Sequence, residues 1–228
     1  YKINISKNNN KIKPIFIIGV PRCGSTLIEK IITSSSSYVS AGEETAIIST
    51  FINRKIFEKE TYKVDLVNLQ KSFIEKYEEK GLIKKINNYT FTDKSLENFF
   101  YIDLIKKIFP NAKIIDCNRD PFYSIMSIIK NNLPGYSWAH SLKNIFNYFD
   151  IYYSITKKFK KTFPNYIYNL KYEKLINNPE IESKKLMKFC NLTWSKKCLE
   201  YYKSKDLASN TSSNIQIRKA IYKNSNQK

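Results

Sequence analysis

The sequence predicts an α/β fold in three layers, with a central, mainly parallel sheet flanked by helices. Three observations predict it. Short, uninterrupted apolar runs recur along the chain, as buried parallel strands require. Segments with apolar residues at three- and four-residue spacing separate them, and strands alternating with helices imply parallel crossovers. The first run, Pro14-Ile15-Phe16-Ile17-Ile18-Gly19, passes through a glycine-containing turn straight into the first helical pattern.

That first run is read as a strand. Leu27, Ile28, Ile31 and Ile32 carry a helix over Thr26–Thr33, broken by the serine tract 34–37. Helices are predicted over Glu44–Lys59 and Val64–Lys80, the second stopped by Gly81. Tyr89–Thr92 reads as a strand, Asp93–Ser95 as a turn, and Leu96–Phe109 as a helix closed by Pro110-Asn111. Lys113–Cys117 is another short apolar strand. Phe122–Lys130 returns to helical spacing, and Trp138–Phe163 reads as one long amphipathic helix. Tyr166–Leu170 is a further strand, followed by helices at Glu173–Asn177 and Ile181–Cys190; from Asp206 onward periodicity fades. The organisation expected is a polar lead-in over residues 1–13 and one domain over residues 14–228.

The chain is 42% hydrophobic and 26% charged, enough apolar content for a full core. Its formal charge is +19, but the lysines are spread among Asp and Glu. The excess is therefore read as a mostly solvated surface, with no nucleic-acid partner expected, although a basic protein suits an anionic cofactor. No stretch approaches the about 18 consecutive apolar residues of a membrane span, and residues 1–13 lack the apolar centre of a signal peptide. Cys23, Cys117, Cys190 and Cys198 show no C-x-x-C spacing and His140 is the one histidine, so no metal site is expected. A reducing, cytoplasmic setting is the simpler expectation. The chain opens at Tyr1 rather than Met and is read as a piece of a longer protein.

The strongest motif is Gly19-Val20-Pro21-Arg22-Cys23-Gly24-Ser25-Thr26, between the first strand and the first helix. It has the G-x-x-x-x-G spacing of a phosphate-binding loop, which makes the expected fold P-loop-like. Gly24 permits close backbone approach, successive N–H groups turn inward, and the helix start adds partial positive charge. The lysine of a nucleotide-triphosphate loop is missing; the cation here is Arg22, inside the loop.

A second segment, Asn111 to Pro121, ends a strand at Arg119 and opens a helix. Ser127 follows eight residues after Arg119, about two helical turns on. A guanidinium fork at a strand end suits phosphate oxygens. Lys94, in Thr92-Asp93-Lys94-Ser95-Leu96-Glu97-Asn98-Phe99, follows a predicted strand, the usual place for site residues in a parallel sheet.

Together these segments resemble the sulfotransferase superfamily, closest to the protein-tyrosine sulfotransferases and the bacterial sulfotransferases linked to tetratricopeptide repeats. The usual P-R-S-G-T-[ST]-L stands here as Pro21-Arg22-Cys23-Gly24-Ser25-Thr26-Leu27, so Cys23 and Ser25 are departures. Lys171-Tyr172-Glu173-Lys174-Leu175 is similar to the family's Y-E-x-L segment, and Thr211 to Tyr222 to its T-A-S-x-x-Q-V-R stretch. The resemblance implies 3′-phosphoadenosine 5′-phosphosulfate (PAPS) as sulfuryl donor and an acceptor hydroxyl on a peptide, glycan or small molecule. It implies that Arg22, Cys23, Gly24, Ser25 and Thr26 cradle the 5′-phosphate. Arg119 and Ser127 would hold the 3′-phosphate, Tyr172 would lie near the adenosine, and Arg218 near cofactor phosphate. Lys94 and Ser213 would join Arg22 at the sulfuryl group, and Glu43 or Glu44 would be the general base.

Both glutamates sit in Gly42-Glu43-Glu44-Thr45; as plain sequence, both suit a helix start. His140 is the alternative base, by analogy with the small-molecule branch. Two other readings stay open: a P-loop kinase or NTPase, against which the missing lysine counts, and a basic nucleic-acid-binding module.

Overall fold

The computed structural model describes residues 12–35, 38–57, 65–83 and 89–203. Five strands form one sheet: β1 (Lys13–Gly19), β2 (Val39–Ser40), β3 (Thr90–Asp93), β4 (Lys113–Asn118) and β5 (Ile167–Lys171). Their order is β2-β3-β1-β4-β5, and every pairing is parallel. β1 is central because its apolar run is buried throughout; Ile15 to Ile18 are all 1% exposed or less. A strand covered on both faces has no need to alternate polar and apolar residues.

The helices are α1 (Ser25–Ser34), α2 (Ile47–Phe57), α3 (Leu66–Glu79), α4 (Ile102–Ile108), α5 (Pro121–Asn131), α6 (Leu142–Thr162), α7 (Tyr172–Asn177) and α8 (Pro179–Phe189). Asp65 caps α3 by accepting from Val67 N at 2.9 Å, and Asp120 caps α5 by accepting from Phe122 N at 2.9 Å. Two predicted helices begin differently. Leu96–Tyr101 is a 3-10 turn that feeds α4, and Ser137–His140 is a separate 3-10 turn. Ser141 between it and α6 is extended, so the long helix starts at Leu142 rather than Trp138.

The strand order fixes where a site can form. Chain leaving β1 turns to one side through β2 and β3 and to the other through β4 and β5, so β1 borders the switch point. Ligands of open α/β sheets bind outside the carboxyl ends of strands at such a point. The carboxyl ends of β1, β3 and β4 carry the loop at Gly19, Lys94 and Arg119 respectively. Among the described residues, no helix is long and apolar enough to cross a membrane.

Candidate active site at the carboxyl ends of β1, β3 and β4

The turn between β1 and α1 is built from strained backbone. Arg22 has φ 70° and Gly24 φ 97°, both left-handed. A non-glycine residue there costs about 1–2 kcal/mol, and such strain concentrates at functional sites. Alternating the hand of successive residues turns N–H groups into a concavity that accepts anions. Gly24 is the N-cap of α1 and brings no capping side chain. A Cβ on Gly24 would lie 2.4 Å from the Tyr172 ring, so glycine is required twice over.

Cys23 faces down, not out. It is fully buried, its carbonyl accepts from the Cys117 thiol at 3.0 Å, and its N–H donates to Val20 O at 3.2 Å. Burial pushes the Cys117 thiol well up, so Cys117 acts as a neutral core group. The departure from serine therefore falls on the underside of the loop.

The second segment meets the first. Arg22 Nε donates to Ser127 Oγ at 2.9 Å, and Arg119 Nη1 donates to Arg22 O at 3.0 Å. The Arg119 guanidinium lies 4.9 Å from the centre of the Tyr172 ring. Glu173 accepts from Asp120 N at 3.0 Å and ties α7 to the start of α5. Burial, then the charge of Arg119, lowers the pKa of Arg22 from its ordinary value. Two neighbouring guanidiniums gain most from an anion placed between them. Arg22, Gly24, Arg119, Ser127 and Tyr172 are thus brought together.

The third cluster lies beyond β3. Lys94 is fully buried, and its ammonium pairs with Glu44 Oε1 at 3.1 Å; the Glu44 side chain is 43% exposed. Lys94 N donates to Glu43 O at 2.7 Å. The two glutamates do different things. Glu43 adopts a left-handed backbone, φ 53°, and its N–H donates to Glu29 Oε1 at 3.0 Å. The Glu44 carboxylate is held by its ion pair with the Lys94 ammonium. Neither caps α2: Thr45 Oγ1 accepts from Ile47 N at 3.2 Å and donates to Asp93 at 2.7 Å. Gly42 passes so close to β3 that a Cβ would sit 2.0 Å from Thr92 O.

Sequence reasoning missed two features of this region. Glu29, on α1, is fully buried behind the Glu43 turn. Tyr136 and Trp138 belong to an aromatic group in which Trp138 stacks on Tyr148 at 3.9 Å, 6° from parallel. Burial, then the charges of Glu44 and Glu97, push Tyr136 up to about 12. The run of aromatics in Tyr136 to Tyr148 was the available signal, but a helical pattern absorbed it. His140 is exposed, in the 3-10 turn before α6. Ser213 and Arg218 lie outside the described residues. Among the described residues, no group of three or more His, Cys, Asp or Glu is arranged to hold a metal ion.

Comparison with known proteins gives the family and the fold. The model of the sulfotransferase family matches residues 14–196, and the chain belongs to that family. It is 32% identical over 232 residues to an uncharacterised protein of Aquifex aeolicus (strain VF5), covering 95% of this chain but 30% of that protein. The chain therefore spans under a third of that relative's length. A candidate protein-tyrosine sulfotransferase of Caenorhabditis briggsae is 24% identical over 204 residues, covering 82% of this chain and 69% of that one. Among solved structures, the sulfotransferase domain of the Synechococcus PCC 7002 olefin synthase superposes with a TM-score of 0.66 at 18% identity, covering 94% of this chain and 87% of that one. The sulfotransferase domain of the curacin biosynthetic pathway gives 0.61 at 20% identity, covering 95% and 86%. These two share the fold.

Proposed function

We propose that this chain transfers the sulfuryl group of PAPS to an acceptor hydroxyl. The observation that carries the reading is the meeting of two phosphate-suited segments: Arg22 of the loop bonds to Ser127, and Arg119 to the loop itself. Two adjoining cationic sites fit a ligand with phosphates at two positions better than a linear triphosphate, whose usual lysine is missing. In this reading the loop from Arg22 to Thr26 holds the 5′-phosphate through its backbone N–H groups other than that of Cys23, which donates to Val20 O, and Arg119 with Ser127 holds the 3′-phosphate. Tyr172 borders the adenosine. Arg218 and Ser213 join from the tail, as the family resemblance implies.

The chemistry follows from the third cluster. The acceptor oxygen forms a bond to sulfur as the bond from sulfur to the 5′-phosphate oxygen breaks. Glu44 takes the acceptor's proton. Lys94 and Arg22 stabilise the charge that develops on the leaving phosphate and on the sulfuryl oxygens, a contribution that grows where water is excluded. Glu44 is the base in preference to Glu43 because it is the carboxylate paired with Lys94. A peptide, a glycan and a small hydroxylated molecule are all compatible acceptors.

The test is a transfer assay with PAPS labelled in its sulfuryl group and a panel of tyrosyl peptides, glycans and phenols. Label on an acceptor, with equal release of adenosine-3′,5′-bisphosphate, is the expected result. Phosphoryl transfer from ATP to the same panel, with none from PAPS, would overturn the reading.

A further inference from the structure

Glu29 lies one turn into α1, directly after the phosphate loop, and is fully buried. A buried carboxylate costs several kcal/mol unless hydrogen bonds and charges compensate it. Here Oε1 accepts two donors, Thr92 Oγ1 at 2.7 Å and Glu43 N at 3.0 Å, while Oε2 has no hydrogen-bond partner among the described residues. Of the charged groups facing it, Lys94 beyond β3 favours the carboxylate and Glu43 opposes it.

What the two bonds accomplish is local. Glu43 sits in a left-handed conformation that a non-glycine residue holds only when its surroundings over-determine it. Its N–H is fixed by Glu29 and its carbonyl by Lys94 N. Thr92 Oγ1, which donates to Glu29, also accepts from Gly42 N at 3.2 Å. The turn that carries Glu44 is thereby fastened to α1 on one side and to β3 on the other. The next residue along that turn meets the Lys94 ammonium.

We propose that Glu29 is a positioning residue for transfer: its buried carboxylate clamps the Glu43 turn against α1 and β3, and so holds Glu44 opposite Lys94. The inference rests on the assignment of Glu44 and Lys94 as the reacting pair. The clamp needs an oxygen that accepts hydrogen bonds, so an amide can replace the carboxylate and an apolar side chain cannot.

Two variants separate these cases. Glu29→Gln keeps an oxygen for both donors. Glu29→Met keeps the volume without it, and replacing a buried charge by an apolar side chain of similar size often leaves stability intact. Crystal structures of both with adenosine-3′,5′-bisphosphate are expected to show the left-handed Glu43 and the Glu44–Lys94 pair kept in the Gln variant and lost in the Met variant. PAPS turnover, with 4-methylumbelliferone as acceptor and water as control, should fall about 10²-fold in the Met variant, the usual result of displacing a reacting group by about 1 Å. Gln should restore it to within about threefold, and affinity for adenosine-3′,5′-bisphosphate should stay within about threefold in both. A Met variant that keeps the turn and the rate, or a Gln variant as impaired as Met, overturns the clamp. If the Met variant does not fold, Thr92→Val removes one of the two bonds at nearly constant volume; unchanged turnover there overturns it equally. A wild-type protein that fails to bind adenosine-3′,5′-bisphosphate would refute the proposed function, while unliganded crystals of the variants would still decide the clamp.

Discussion

Arg22 Nε donates to Ser127 Oγ at 2.9 Å although 105 residues separate them. The bond joins the loop after β1 to the helix after β4, and Arg119 adds a second link through Arg22 O. Arg119→Ala is therefore expected to weaken adenosine-3′,5′-bisphosphate by about 1.5–3 kcal/mol, the range for hydrogen bonds to charged groups. Adenosine 5′-phosphosulfate, which lacks the 3′-phosphate, should weaken less, by whatever the loop loses when Arg22 O is released. Calorimetric titration with both ligands checks this; equal losses would mean that Arg119 acts only through the loop.

The division of labour between the two glutamates predicts unequal variants. Glu44→Gln should lower turnover by about 10²–10⁴, the usual contribution of general acid–base catalysis. Glu43→Gln should lower it far less, because the bonds of Glu43 to Glu29 and Lys94 run through its main chain. Donor affinity should survive in both. His140→Ala is the control: loss of transfer there, with both glutamine variants active, would move the base to the histidine.

Gly24→Ala should be among the most damaging small substitutions in the loop. The new Cβ meets the Tyr172 ring at 2.4 Å in a backbone with φ 97°. The conformation alone costs about 1–2 kcal/mol, and moving Tyr172 disturbs the face on which Arg119 rests. Denaturant unfolding should show a lower midpoint, and titration a weaker donor site. An unchanged protein would contradict the close approach of loop and ring.

Glu29 also sets a pH dependence. Burial raises its pKa above the ordinary 4.5, against the opposing charge of Lys94 and its two hydrogen bonds. A carboxyl with a raised folded-state pKa binds more protons folded than unfolded between the two values, so stability falls as pH rises through that window. Glu29→Gln removes the effect. The stability of the Gln variant relative to wild type should therefore grow as pH rises from below 4.5 towards neutrality. Urea unfolding across this range checks the sign; a Gln variant that loses stability relative to wild type as pH rises would contradict it.

The strands were legible because buried parallel strands are written as apolar runs: β1, β3 and β4 fall where Ile15–Ile18, Phe91 and Ile114-Ile115 indicate. The turn between β1 and α1 was legible because its glycine spacing is local. β2 was not, since two residues, Val39 and Ser40, carry no periodicity and are held by pairing with Thr90 and Phe91. The 3-10 turns before α4 and α6 share the spacing of helices, and nothing short of packing separates them. Glu29 looked like one charged residue in a helical pattern. Its role appears only when Thr92 and Glu43, 63 and 14 residues away, arrive at the same oxygen. Which of Glu43 and Glu44 pairs with Lys94 was likewise open in sequence, because the left-handed backbone of Glu43 sets where the next side chain leaves the turn.

If the two joined cationic sites recognise a nucleotide phosphorylated at both the 3′ and 5′ positions, that nucleotide must stabilise the fold. The melting temperature with adenosine-3′,5′-bisphosphate, compared with ATP and Mg²⁺ and with heparin at matched concentrations, decides the matter. A ligand that binds only the folded state raises stability by about 2.7 kcal/mol at a hundredfold excess over its Kd. A rise of several degrees is expected with adenosine-3′,5′-bisphosphate and a far smaller one with ATP or heparin. An equal or larger rise with ATP would contradict this in favour of a triphosphate site, and a rise with heparin alone in favour of a general polyanion surface.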